Sequence, residues 1–257
     1  RVLNGKGIIT LAKILNLCLR MMGYLDEIEK QIKVLRAYEV NSGDFDKLLD
    51  DVNKRFHDCN NVKQLKKERI KALSELGKIP VKMPDESKRL RFGIVGEIFV
   101  VMDASTNNHI EKRLNALGVE VQSTQYISEW VEHNATPSFL SHDKTHKMHI
   151  EGKKYTTCNC GGHHLGNIGW IEEFSKEGLD GIIHLMPFGC LPELVTRTMS
   201  HKLSEQFDIP ILTMSIDEQN GEANTQTRLE AFVDLCAGRK RSKAAQNKKI
   251  NKTFANV

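Results

Sequence analysis

The sequence predicts an α/β fold: a parallel sheet with helices on both faces (doubly wound), preceded by a helical segment. Three observations carry this. Beyond about residue 90, short apolar runs alternate with stretches of helical period, the pattern of strands buried on both faces and joined by crossover helices. Before that point, apolar residues recur only at helical spacing. The apolar run 181–186 passes through Pro187-Phe188-Gly189-Cys190-Leu191-Pro192-Glu193 directly into a helical pattern, a change expected where a strand ends in an open sheet. Right-handed crossovers then give a doubly wound domain.

The elements follow in order. Residues 8–22 and 25–40 are expected as two helices, and the first is apolar on so many sides that it must pack on something. Asp44 is a suitable N-cap for a helix whose stripe is Phe45, Leu48, Leu49, Val52 and Phe56. A second stripe, Val62, Leu65, Ile70, Leu73 and Leu76, stops at Gly77, a residue suited to the position just past a helix. This helical segment, residues 1–81, shows no chemistry; Cys18 reads as core and Cys59 as incidental. A polar linker, 82–89, opens the α/β domain, 82–238. Residues 92–102 read as a strand, 109–117 as a helix closed by Gly118, 119–122 as a short strand and 126–133 as a helix. After an irregular His-rich stretch come strand 181–186, helix 191–207 and strand 209–216. Leu229, Phe232, Val233 and Cys236 mark the inner face of a last helix. Residues 239–257 are expected to be a basic, disordered tail.

Length and charge bound the partners. The 257 residues, 27% of them charged, suffice for one large domain or two small ones. The net charge of +4 misleads, because seven of the 37 basic residues lie beyond residue 238, leaving 30 against 33 acidic ones in the body. The tail has no interleaved aromatics and no recognisable nucleic-acid module, so nucleic acid is not an expected partner. No apolar run is read as long enough to span a bilayer, and no membrane partner is expected. Six cysteines without a signal peptide do not resemble a secreted disulfide framework, which points to a reducing cytoplasm. The chain begins with Arg1, and a fragment of a longer protein is expected; a homo-oligomer is compatible with everything in the sequence.

Four segments carry chemistry. Cys190 sits where a strand gives way to a helix, and a helix N-terminus stabilises the thiolate that binds metals or attacks electrophiles. A buried, inert cysteine in a tight turn accounts for the same position. In residues 158–169, Cys158, Cys160, His163 and His164 lie close enough in sequence to bind a soft metal, zinc being one option, although Cys-x-Cys-x2-His is not a standard zinc pairing. Gly161, Gly162, Gly166 and Gly169 allow close backbone approach to a ligand, or serve loop geometry alone, and Asn167 is placed to cap the helix that follows. In residues 217–232, Asp217, Glu218 and Glu222 can hold Arg228 or act as acids and bases, an ion-pair network being the simpler reading. Glu97, read within an apolar strand, needs a partner. His109, His142, His146 and His149 have no special spacing and read as surface residues.

Taken in order, Gly93-Ile94-Val95-Gly96-Glu97-Ile98, then Gly161-Gly162-His163, then Pro187-Phe188-x-Cys190-x-Pro192-Glu193, then the long run from Asp217-Glu218 to Phe232 resemble the CoA-substrate-specific enzyme activase-related proteins. These are relatives of the 2-hydroxyacyl-CoA dehydratase subunits and of the double-cubane cluster proteins. The resemblance runs from about residue 8 to 238 and is densest after residue 91. It implies an α/β fold, an iron–sulfur cluster held by cysteines between domains, an ATP-dependent activator protein that delivers low-potential electrons, and acyl-CoA substrates. It carries Cys190 over as a cluster ligand, and Gly161, Gly162 and His163 as a motif near the site. Cys158 and Cys160 stand where many relatives have no cysteine. A further cysteine motif that relatives carry upstream has no counterpart here, so the resemblance implies a C-terminal part whose ligand set is incomplete; a non-catalytic regulatory or interaction module, or a zinc-stabilised domain, is the alternative reading.

Overall fold

A computed structural model describes residues 7–135, 144–217 and 221–254. Its sheet has four parallel strands, β1 (Leu90–Gly96), β2 (Val119–Ser123), β3 (Gly181–Pro187) and β4 (Ile211–Ile216), in the order β2-β1-β3-β4. This is the predicted fold. Because side chains alternate across a strand, neighbouring residues enter opposite cores. Phe92, Ile94, Ile183 and Leu185 face one core with α4 (Ile98–Met102), α5 (Ile110–Ala116) and α10 (Glu222–Phe254). Val95 and Ile182 face the other, with α7 (Lys144–Gly152), α8 (His164–Lys176) and α9 (Leu191–Phe207). Gly93 leaves the space that Phe174 fills: a Cβ there would fall 2.2 Å from its ring.

The helical segment departs from the prediction at its start. Residues 8–22 and 25–40 form one helix, α1 (Ile8–Leu35), that ends in a short 3-10 turn, Arg36–Tyr38. Gly23 does not break it, since an isolated glycine costs a helix only about 1 kcal/mol. Ile28 and Ile32 of α1 pack on α2 (Asp44–His57) and α3 (Val62–Leu76) through Phe45, Val52, Phe56 and Leu65. The caps also shift: Gly43, at φ +88°, precedes α2 in place of Asp44, and Asn61 caps α3 by accepting the Gln64 N–H at 3.0 Å. Uninterrupted, Ile8–Tyr38 is long and apolar enough to cross a membrane by length and composition, and its apolar window is exposed, which corrects the expectation that no such run exists. The expectation failed because it divided this helix in two.

Two further boundaries move. The expected strand 92–102 ends at Gly96, where φ of +151° and a Cβ position 2.0 Å from the Leu185 carbonyl admit only glycine. Glu97 is therefore the N-cap of α4, its carboxylate accepting the Val100 N–H at 3.0 Å, and not a charge inside a strand. At the other end α10 continues through Arg239 into the stretch expected to be disordered. It is tied down there: Lys240 reaches Asp180 at 3.0 Å and Lys243 reaches Asp208 at 2.5 Å.

Candidate functional site

Cys190 lies at the carboxyl end of β3. The chain leaves the sheet at Pro187, turns at Gly189 (φ +74°), and Cys190 caps α9 with Pro192 in the first turn. The Phe188 N–H donates to the Ile216 carbonyl at 3.1 Å, and the Cys190 carbonyl accepts the Leu194 N–H at 2.9 Å. Cys190 is half-buried and outside the apolar cores, between Phe188 and Leu191, which are 78% and 63% exposed. The Gly-rich loop meets it: a Cβ on Gly162 (φ +64°) would fall 2.8 Å from Pro192. The two segments therefore adjoin at one edge of the sheet.

Beneath that edge is a polar cluster that sequence did not disclose. Asn167 is not a cap but a buried residue within α8. Its amide donates to both oxygens of Glu193, at 3.1 and 2.9 Å, and its carbonyl accepts the Gly96 N–H at 3.1 Å. Glu193 also meets His184 Nε2 at 2.8 Å, and His184 Nδ1 lies 3.2 Å from the Thr213 hydroxyl. Asn167, His184 and Glu193 are fully buried. A buried charge is tolerated only when paired and hydrogen-bonded, and here four side chains satisfy one another. The bonds join β1, β3, β4, α8 and the first turn of α9, three residues from Cys190. The signal was Glu193 itself, a carboxylate in the first turn of a helix at a strand end.

The thiol pair is less suited to a metal than its spacing suggested. Cys158 is exposed and Cys160 half-buried; desolvation and the neighbouring Cys158 push the Cys160 thiol up, which disfavours the thiolate. His164 lies 3.7 Å from the Cys160 sulfur, but its ring nitrogens sit 2.8 and 2.9 Å from the carbonyls of Gly161 and Cys158, so both face backbone oxygens. Among the described residues, no group of three His, Cys, Asp or Glu side chains is placed to hold a metal ion. The donors on these residues thus do not by themselves fit a four-thiolate cluster or a zinc ion.

The glycines divide by role. Gly166 and Gly169 face α7, not a ligand: a Cβ would fall 2.9 Å from the His149 ring and 2.1 Å from the Met148 carbonyl. In the acidic segment, Glu222 and Arg228 have separate partners. Glu222 pairs with Arg113 of α5 at 2.8 Å, while Arg228 donates to the Thr213 carbonyl at 2.8 Å, along the open edge of β4. Asp217 directly follows β4 at its carboxyl end, and Glu218 lies outside the described residues.

A histidine cluster was missed. His146 and His149, expected at the surface, stand three residues apart on α7 and meet His133 of α6 (Ile127–Ala135), with ring centroids 6.4 and 5.5 Å apart. Burial first, then the neighbouring His133, His163, His146 and His164, pushes the His149 imidazole down to about 4. The i, i+3 spacing was the available signal. His109 is exposed before α5, and His142 lies outside the described residues.

No curated protein matches the chain. The family model for the 2-hydroxyglutaryl-CoA dehydratase D-component matches residues 27–235, which takes in the whole sheet, the Cys190 turn and the Gly-rich loop. The chain therefore belongs to the 2-hydroxyglutaryl-CoA dehydratase D-component family.

Proposed function

We propose that this chain works as one part of an iron–sulfur-dependent acyl-CoA dehydratase or a related low-potential reductase, in a reducing cytoplasm and together with an ATP-dependent activator protein. One observation carries the reading: the only cysteine of the Pro-Phe-x-Cys-x-Pro-Glu motif lies at a strand's carboxyl end, half-exposed, at the N-terminus of a 17-residue helix. The carboxyl ends of strands are where sheets of this kind hold their ligands, and a cysteine sulfur is an iron ligand. Family membership supports the cofactor, the activator and the acyl-CoA substrate class. The remaining ligands must come from outside the donor groups described here, from a partner subunit or another segment. The chain's own part is to hold the Cys190 turn rigid through the Asn167–Glu193–His184 bonds. Six cysteines without a disulfide among them accord with a reducing compartment.

The test is anaerobic purification of the protein with its natural partners, followed by iron and sulfide analysis and a visible spectrum. Iron and sulfide that co-purify and are lost in Cys190→Ser support the assignment. A complex that retains its full iron and sulfide in that variant, or contains none to begin with, overturns it.

A further inference from the structure

We propose that the cavity between α6, α7 and the Gly162–His163 turn is a binding site for a compact oxyanion, a carboxylate or a phosphate-type group, taken up together with a proton on His149. The cavity has a volume of about 150 Å³ and is lined by Thr124, Gln125, His133, Asn134, His149 and His163 among others. One water occupies ~30 Å³ of liquid, so the space admits a small polyatomic ligand. It opens beside the carboxyl end of β2, where ligands of such sheets are held.

The lining favours an anion. A neutral imidazole carries one N–H donor, and His149 and His163 both line the space, whereas the Thr124 hydroxyl and the Asn134 amide donate to the carbonyls of Ile94 and Trp130 at 3.0 and 2.8 Å. Gly162 and His163 immediately precede α8, a 13-residue helix whose dipole attracts negative charge to that end. Among the described residues, the charged and titratable groups around His149 are Glu129 and His133 on α6, His146 on its own helix, His163 in the turn and His164 on α8. Glu129, the one carboxylate in the cavity wall among the described residues, is ion-paired with Lys30. Lys30 and Lys33 also stand 4.3 and 4.7 Å from the ring centre of Tyr126, which lines the same cavity. A metal is the other natural ligand of clustered imidazoles, but no three donors among the described residues are placed for one.

Linkage supplies the chemistry. His149 is pushed down to about 4, because burial and four neighbouring imidazoles oppose its proton. An oxyanion beside it offsets both effects, so binding draws in one proton and strengthens as pH falls. With one proton taken up, affinity changes by roughly tenfold per pH unit between the free and bound midpoints. The inference does not depend on an iron–sulfur cluster or on activity.

The experiment follows the histidine C2–H resonances by NMR in the intact chain, titrated with sodium sulfate, whose charge is constant over this range, and separately with sodium acetate. His149→Gln assigns the resonance. Expected is saturable binding of at least one anion that raises the His149 midpoint by about two pH units, and that is about tenfold weaker in His149→Gln at about pH 5. Sulfate binding identifies a phosphate-type ligand and acetate binding a carboxylate. Should His149→Gln fail to fold, His149→Asn, smaller and equally unable to take the proton, replaces it with the same expected weakening. A His149 midpoint unmoved by either anion overturns the proposal. So does undiminished binding in the folded variants, or tight zinc binding that releases protons where neither anion binds.

Discussion

At the scale of single residues, the buried contacts of Glu193 set the energetics of the sheet edge. Removing the shared acceptor leaves buried polar groups without a partner or water, which costs about 1–3 kcal/mol for each. Glu193→Ala leaves the His184 and Asn167 side chains without their acceptor, so urea unfolding should show a loss of that order with little change in slope. His149 makes a second, pH-dependent prediction. Its folded pKa of about 4 lies below its ordinary value of 6.5, so between these limits the unfolded chain binds a proton that the folded one does not. Its burial therefore lowers stability progressively as pH falls from about 6.5 towards about 4, and costs nothing above that window. Midpoint denaturant concentrations measured across this range, in buffer free of oxyanions, should fall more steeply for the native chain than for His149→Gln. Of these residues, Cys190 was legible from the turn around it. Asn167 was not: an asparagine near a helix start reads as a cap, and only the approach of β1 and α9 gives it two partners inside the helix.

At the scale of elements, glycine means opposite things in two helices. Along the α7–α8 contact, Gly152 and Gly169 let the backbones touch, and their Cβ positions would fall 1.9 and 2.1 Å from the facing carbonyls of Leu165 and Met148. Gly169→Ala should cost about 1–3 kcal/mol through helix separation, in spite of alanine's better propensity. Gly23, in the middle of α1, has nothing within 4 Å, and Gly23→Ala should stabilise by up to about 1 kcal/mol. Thermal unfolding of the two variants should therefore shift in opposite directions. The same elements show what periodicity can and cannot tell. The four strands and α9 were legible because apolar runs bounded by turn residues have few alternatives. The end of β1 was not, since Ile98 to Met102 is as apolar as the strand before it, and the decisive fact is the close approach of Gly96 to β3. Nor was the length of α10, whose basic residues gain their order from Asp180 and Asp208, distant in sequence.

At the scale of the whole molecule, the helical segment and the sheet are joined by polar contacts as well as by packing. Arg36 donates to Asn115 at 2.8 Å, the Tyr38 hydroxyl donates to the buried Glu120 at 2.8 Å, and Asp26 accepts the Ser128 N–H at 2.9 Å. Elements tied in this way melt together. Both tryptophans, Trp130 and Trp170, lie on the sheet side, whereas much of the helical signal comes from α1 to α3. Tryptophan fluorescence and far-ultraviolet dichroism should accordingly give superimposable urea transitions, and separated midpoints would show that the contacts do not couple the two parts.

Cys236 gives that whole-molecule motion a clock. It sits on α10 against Gly181, where a Cβ would come 2.9 Å from its sulfur, and burial pushes its thiol up to about 12. In the folded chain it is neither reachable nor ionised, while Cys18 and Cys158 are open to solvent. An alkylating reagent should therefore modify the exposed thiols in an early phase and Cys236 in a late one. The rate of the late phase reports how often α10 lifts from the sheet, with mass spectrometry of the labelled peptide as the counter.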